Sequence, residues 1–185
     1  MESTSIAKLI AVPSAFLIGG YHLALSHTAV PALYDQAAVS AVPAFSGIYF
    51  KALQQLFLPT AAAGLVSYGY LTYQCCKLRT KSQPFSRRSS AIPHSVLYGT
   101  AAGLVLGVGL VTKFVLLTGV ERLLEMNEDP SLLQQTVFDE EVRELLYSFV
   151  GQNWWRAAFG IMSGIIGLYA IIDGDTTEEK ELSPV

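Results

Sequence analysis

The chain has 185 residues, of which 51% are hydrophobic and 15% charged, with a formal net charge of −3. Soluble domains carry about 25% charged residues, so this composition excludes an ordinary soluble fold. The slight acidity excludes the basic surface that nucleic-acid binding needs.

The first apolar stretch runs Ile6–Leu33. A bilayer crossing needs about 20 mostly apolar residues at 1.5 Å of rise each. The stretch is longer than the core of a cleaved leader and reads as a retained first span. It carries His22 and His27. Five residues apart, they fall on different helix faces, so these two alone predict no metal or haem site. The segment Tyr34–Phe50, broken by Pro43 and Gly47, is expected at the interface or folded back over the bundle.

The second span is predicted over Leu53–Tyr73, with Gln54, Gln55 and Thr60 at its start. Behind it the loop Cys75–Pro93 holds Lys77, Arg79, Lys81, Arg87 and Arg88. The bias of Lys and Arg toward this loop places it in the cytoplasm, and with four spans both termini join it there. The adjacent Cys75 and Cys76 read as two unmodified thiols. The third span, Val96–Leu117, carries Lys113 near its exit, and Gly99, Gly103 and Gly107 recur every four residues. Small residues at that spacing let membrane helices approach closely, so this stripe is expected to face a neighbour.

Leu133, Val137, Val142, Leu145, Leu146 and Phe149 then recur at helical spacing, with Asp139, Glu140, Arg143 and Glu144 between them. That pattern predicts an amphipathic helix, begun at Asp129-Pro130. It leads into the fourth span, Phe149–Ile172, which opens with Gln152, Asn153 and Arg156 and carries Gly160 and Gly164. The acidic tail, 173–185, is expected to be disordered. The predicted fold is all-α: a single four-span transmembrane domain over 1–185, an integral membrane four-helix bundle with an amphipathic helix between spans three and four. Its surroundings are the lipid bilayer of the endoplasmic reticulum or another endomembrane, and homo-oligomerisation is left open.

Antiparallel threading collects the polar residues at one end. His27, with His22 nearer the middle, Gln54, Lys113, Asn153 and Arg156 all fall in the non-cytoplasmic half. Each has a bland explanation alone: long basic side chains snorkel, and Trp154 and Trp155 suit an interfacial belt. Together they predict a shared polar pocket, because ionisable groups are costly in lipid. No dinucleotide loop, P-loop or Gly-x-Ser-x-Gly is present.

Several segments in order carry a more specific signal. Val30-Pro31-Ala32-Leu33 closes span one, Pro59 lies in span two, and Thr112 and Leu116–Leu124 close span three. Val142-x-x-Leu145-Leu146 then leads into Asn153-x-x-Arg156 and a Gly-rich span. In that order and spacing, nearly the whole chain resembles the anthrone oxygenase-like family of small four-span proteins, widespread in fungi. It departs from the family at Phe149, usually Trp, and at Gly119-Val120-Glu121, usually a Thr-Asn pair. The resemblance implies a monooxygenase of secondary metabolism that oxidises an anthrone-like aromatic polyketide to a quinone with molecular oxygen and no cofactor.

Such chemistry needs a base, groups that stabilise an enolate, and an apolar slot. His27 is the first candidate base. Arg156, Lys113 and Asn153 are candidates for holding the anion. Trp154, Trp155, Tyr49 and His22 are placed around the flat substrate, with His22 as second candidate base. The competing class is a non-catalytic membrane scaffold or partner subunit with a degenerate site. A polyketide synthase gene beside this one favours the enzyme.

Overall fold

The structure, a computed structural model, describes residues 3–81, 92–129 and 137–182. Most of the basic loop after Cys75, the expected start at Pro130, Leu133 and the last three residues lie outside that description. All the regular structure among the described residues is helical, as composition and periodicity predict.

The helices are α1 (Ser3–Ala24), α2 (Ala38–Ala52), α3 (Leu58–Lys81), α4 (His94–Val111), α5 (Leu117–Glu128) and α6 (Val137–Leu182). Three π turns interrupt them: π1 (Leu25–Ala29), π2 (Leu53–Phe57) and π3 (Thr112–Leu116). π1 extends α1, π2 joins α2 to α3 without a break, and π3 joins α4 to α5. The described residues therefore form four long helical rods. The stretches Ser3–Leu33, His94–Val115 and Asp139–Asp173 are each long and apolar enough to cross a membrane; this is a membrane protein. The remaining wall is α3, of 24 residues. Its polar and basic C-terminal turns, with Gln74 and Lys77, lower its mean hydropathy.

The segment Tyr34–Phe50, expected at the interface or folded back over the bundle, contains helix α2 from Ala38. Its buried residues Ala38, Ala41, Val42, Phe45, Ser46 and Tyr49 form one helical stripe, and packing of that stripe overrides Pro43 and Gly47. The amphipathic helix expected to lead into span four is present as the N-terminal part of α6, which is continuous over 46 residues. The backbone of the acidic segment after Asp173 is drawn as helix to Leu182.

The rods form a ring in which α1 packs on α3, α3 on α4, α4 on α6 and α6 back on α1. Two core clusters lie one above the other. The lower joins Ala11, Ala15 and Ile18 of α1 with Tyr68 and Leu71 of α3, Ala101, Val105 and Val108 of α4, and Ala170 of α6. The upper joins Phe45 and Tyr49 of α2 with Leu123 and Met126 of α5, Val142, Leu146 and Phe149 of α6, and Val30 and Leu33. Forty-six helical residues at 1.5 Å each span about 69 Å, against a hydrocarbon layer of about 30 Å. The upper cluster is flanked by the charged Arg122, Glu125 and Glu141.

Glycine sets the closest approach at Gly160, in the span-four repeat, rather than at Gly103 in span three. A Cβ on Gly160 would meet the backbone N and Cα of Gly19 at 2.6 and 2.7 Å, and one on Gly19 would meet Ile161 at 2.7 Å. α1 and α6 thus touch backbone to backbone. Gly164 is covered by the Phe16 ring, 2.9 Å from where its Cβ would be. Gly103, expected to face a neighbour, is exposed and has open space around it. Hydrogen bonds tie the other walls: Ser163 Oγ donates to Ala101 O at 2.8 Å, and the buried Tyr68 hydroxyl donates to Ser163 O at 3.2 Å. Side-chain bonds of this kind hold helices together where lipid offers no hydrophobic drive.

Candidate functional site

A polar cluster sits between the two cores, where α1 gives way to π1. Arg156 is 2% exposed, and His22 and Asn153 are fully buried. Asn153 holds the cluster together. Its Nδ2 donates to His22 O at 2.9 Å and to Ser26 Oγ at 3.1 Å, and its Oδ1 accepts from Arg156 Nη1 at 2.9 Å. Asn153 and Arg156 are neighbours because residues three apart on a helix share a face. They meet His22 because Gly19, three residues before it, and Gly160, four residues after Arg156, bring the two backbones together.

What the cluster leaves open is chemical. Both ring nitrogens of His22 and Nε of Arg156 are buried without a hydrogen-bond partner. A buried cation is normally paired with an acid, yet no carboxylate is paired with Arg156 among the described residues. Its other neighbour is the Phe57 ring, whose centroid lies 5.6 Å from Cζ. His22 lies 5.4 Å from the same ring and 5.2 Å from Tyr21. Tyr21, His22, Leu25, Tyr49, Leu53, Phe57 and Arg156 surround a small void of about 10 Å³. Above it Phe45, Tyr49 and Phe149 form an aromatic layer, with Phe45 edge-on to Phe149 at 4.9 Å.

Of the residues proposed from sequence, the structure brings Arg156, Asn153, His22 and Tyr49 together. Tyr49 is buried, and it reaches the void from α2. It does not bring the others. His27 lies on π1 and is exposed; Lys113 lies on π3, exposed, 5.8 Å from the Phe114 ring. Trp154 and Trp155 are exposed on the outer face of α6, as belt residues are. Sequence reasoning missed Ser26, Tyr21, Leu53 and Phe57. The pairing of Phe57 with the cation had a faint signal in the lone aromatic just before Pro59, on the same helix as the two glutamines.

All three π turns lie at the end of the spans where this cluster sits. A π turn carries an extra residue and occurs often at functional sites. At π2 it has a local cause as well. Pro59 lacks an N–H and its ring crowds the carbonyl four residues back, and the widened turn Leu53–Phe57 relieves that crowding. The Thr60 hydroxyl bonds the carbonyls of Leu56 and Phe57 beside it.

The site is thus a buried amide–guanidinium–imidazole cluster in a small helical membrane bundle. The sequence profile described as anthrone oxygenase matches residues 45–166, most of the chain. The protein belongs to the anthrone oxygenase family. The matched residues include π2, π3, Asn153 and Arg156, whereas His22 and His27 precede them. Neither a curated protein nor a solved structure matches the chain.

Proposed function

We propose that this protein is a membrane-bound oxygenase that converts an anthrone-like aromatic polyketide to the quinone with molecular oxygen. The observation that carries the reading is Arg156: a buried cation with no acid partner among the described residues, beside an imidazole with two unengaged nitrogens. Such a group awaits an anion.

An anthrone has a CH₂ flanked by two aromatic rings and conjugated to a carbonyl, so loss of a proton gives a stabilised enolate. His22 is the base this geometry favours over His27, because it faces the void and His27 does not. The enolate oxygen is held by Arg156, itself oriented by Asn153. The electron pair on carbon adds to dioxygen and forms a C–O bond. The resulting peroxide takes up a proton. Removal of the second C–H proton as the O–O bond breaks leaves the carbonyl and releases water. One oxygen atom enters the product and the other becomes water, so no further reductant is consumed. Tyr49 and the aromatic layer flank the rings, and the substrate arrives from the lipid phase.

The proposed arrangement puts both termini and the 75–93 loop in the cytoplasm and the site toward the opposite face of an endomembrane. The whole of 1–185 then acts as one domain. The test is oxygen uptake by protein in lipid nanodiscs supplied with a hydroxylated anthrone, measured against lipid alone. Uptake matched one to one by quinone, and lost in Arg156→Ala, is the expected result. Uptake no faster than in lipid alone sinks the oxygenase and leaves the scaffold.

A further inference from the structure

The void beside Arg156 is too small for the substrate just proposed. At about 10 Å³ it holds roughly one water molecule, whereas pockets for organic ligands run about 300–1,000 Å³. Some wall must therefore yield. His22 and Arg156 stand on the α1–α6 seam, where Gly19 meets Gly160 backbone to backbone and leaves no slack. Leu25 and Tyr49 belong to the buried upper core. Tyr21 and Leu53 are half-buried and form the outer rim.

Phe57, though a member of the lower core, differs in position: it lies against both polar groups, 5.4 Å from the His22 ring and 5.6 Å from Arg156 Cζ. An aromatic ligand bound to this cation and imidazole would sit where that ring is. Phe57 is also the last residue of π2, and Leu53 the first. Moving the extra residue of a π turn along the helix turns the side chains by about 100° per residue. π2 thus supplies the rotation that would swing the ring away.

We propose that Phe57 occludes the site and sets the size of its ligand: its ring holds the place of a planar aromatic ligand and withdraws through π2, opening the seam between Tyr21 and Leu53. The ligand class and the need for the void to open rest on the oxygenase reading; the place of the ring, against both the cation and the imidazole, rests on the geometry.

A dihydroxyanthraquinone tests this, because it is already oxidised and binds without turnover. Its association with protein in phospholipid nanodiscs is followed by stopped-flow fluorescence. Phe57→Ala should speed association about tenfold, and Phe57→Trp should slow it about tenfold. Tenfold corresponds to about 1.4 kcal/mol, the scale of a desolvated cation–π contact. Adding Arg156→Ala to Phe57→Ala should abolish binding, which places the probe at this site. Phe57→Leu, faster than the parent by a smaller factor, serves if the alanine variant does not fold. Equal rates in parent and variants overturn the proposal, as does failure of Phe57→Ala to bind the probe. The two readings separate cleanly: faster association without oxygen uptake from an anthrone keeps the occlusion and sinks the oxygenase, and oxygen uptake with unchanged association does the reverse.

Discussion

Arg156 and Asn153 stand one turn apart on α6, and the guanidinium Nη1 donates to the amide Oδ1 at 2.9 Å. The nearest partner of the buried cation is thus neutral. An acid there would cancel the charge; an amide orients the guanidinium and leaves its charge for a ligand. The same amide spends its two N–H donors on His22 O and Ser26 Oγ, across the seam to α1 and π1.

Asn153→Asp separates these two duties. The carboxylate can still accept from Arg156 but cannot donate to His22 O or Ser26 Oγ. Stability should fall by about 1–3 kcal/mol, read as a lowered melting temperature in nanodiscs. Oxygenation should fall much further, by about 100- to 1,000-fold, the usual effect of removing an oxyanion donor. Arg156→Lys should recover little of the activity lost in Arg156→Ala, since Lys lacks the planar fork of donors. Full activity in Asn153→Asp would show that the cation's free charge is not used.

Helix packing gives a paired test. Gly160→Ala puts a methyl 2.6 Å from the Gly19 backbone nitrogen, where no flexible side chain can move aside. Overpacking of this kind costs about 1–3 kcal/mol. Gly103→Ala meets open space and should be neutral or stabilising, since Ala is the better helix former. Thermal unfolding of the two variants should rank Gly160→Ala well below the parent and Gly103→Ala at or above it. The reverse order would mean that α1 and α6 do not pack this way.

The start of α2 offers a third. Asp139 Oδ1, on α6, accepts from the Ala38 backbone N–H at 2.8 Å. It acts as a cap supplied by another helix, with its negative charge at a helix N-terminus. Asp139→Ala should cost about 0.5–2 kcal/mol and raise amide hydrogen exchange at Ala38, Val39 and Ser40. Unchanged exchange there would remove the cap from the account.

The cysteines provide a pH test. Burial, and then the neighbouring Cys76 thiol, push the Cys75 thiol above its ordinary range, and Lys8 only partly offsets this. A raised value means less thiolate at a given pH. Maleimide should therefore modify the exposed Cys76 before the half-buried Cys75, and Cys75 should gain more as pH rises above 8. Mass spectrometry of a Cys76→Ser variant against Cys75→Ser reads this directly, and equal rates at all pH values contradict it.

Much of the architecture was legible because lipid imposes a simple rule: long apolar runs with polar interruptions. Asn153 and Arg156 stood out for the same reason. What counting could not see was the π turns. Sequence spacing put His22 and His27 on different faces, but with the helical phase shifted across Leu25–Ala29 it could not tell which of the two turns inward. Lys113 escaped in the same way on Thr112–Leu116. Of the stripe Gly99, Gly103 and Gly107, Gly107 does face Phe159, but Gly103 misled, because small residues permit a close approach without requiring one. Gly160 was half of the real contact, and its partner Gly19 lies in a helix with no such repeat. The α2 helix was hidden by Pro43 and Gly47, although Ala38, Ala41, Val42, Phe45, Ser46 and Tyr49 already spelled its buried face.

The bond between Ala38 and Asp139 has a consequence for biogenesis. The residue that finishes α2 is translated 101 positions after the helix it serves, and the Gly19–Gly160 seam likewise joins the first rod to the last. Two or three rods released into a membrane would thus hold an uncapped helix and an unfilled face on α1. Arrival of the last helix therefore caps α2 and covers that face of α1 in a single step.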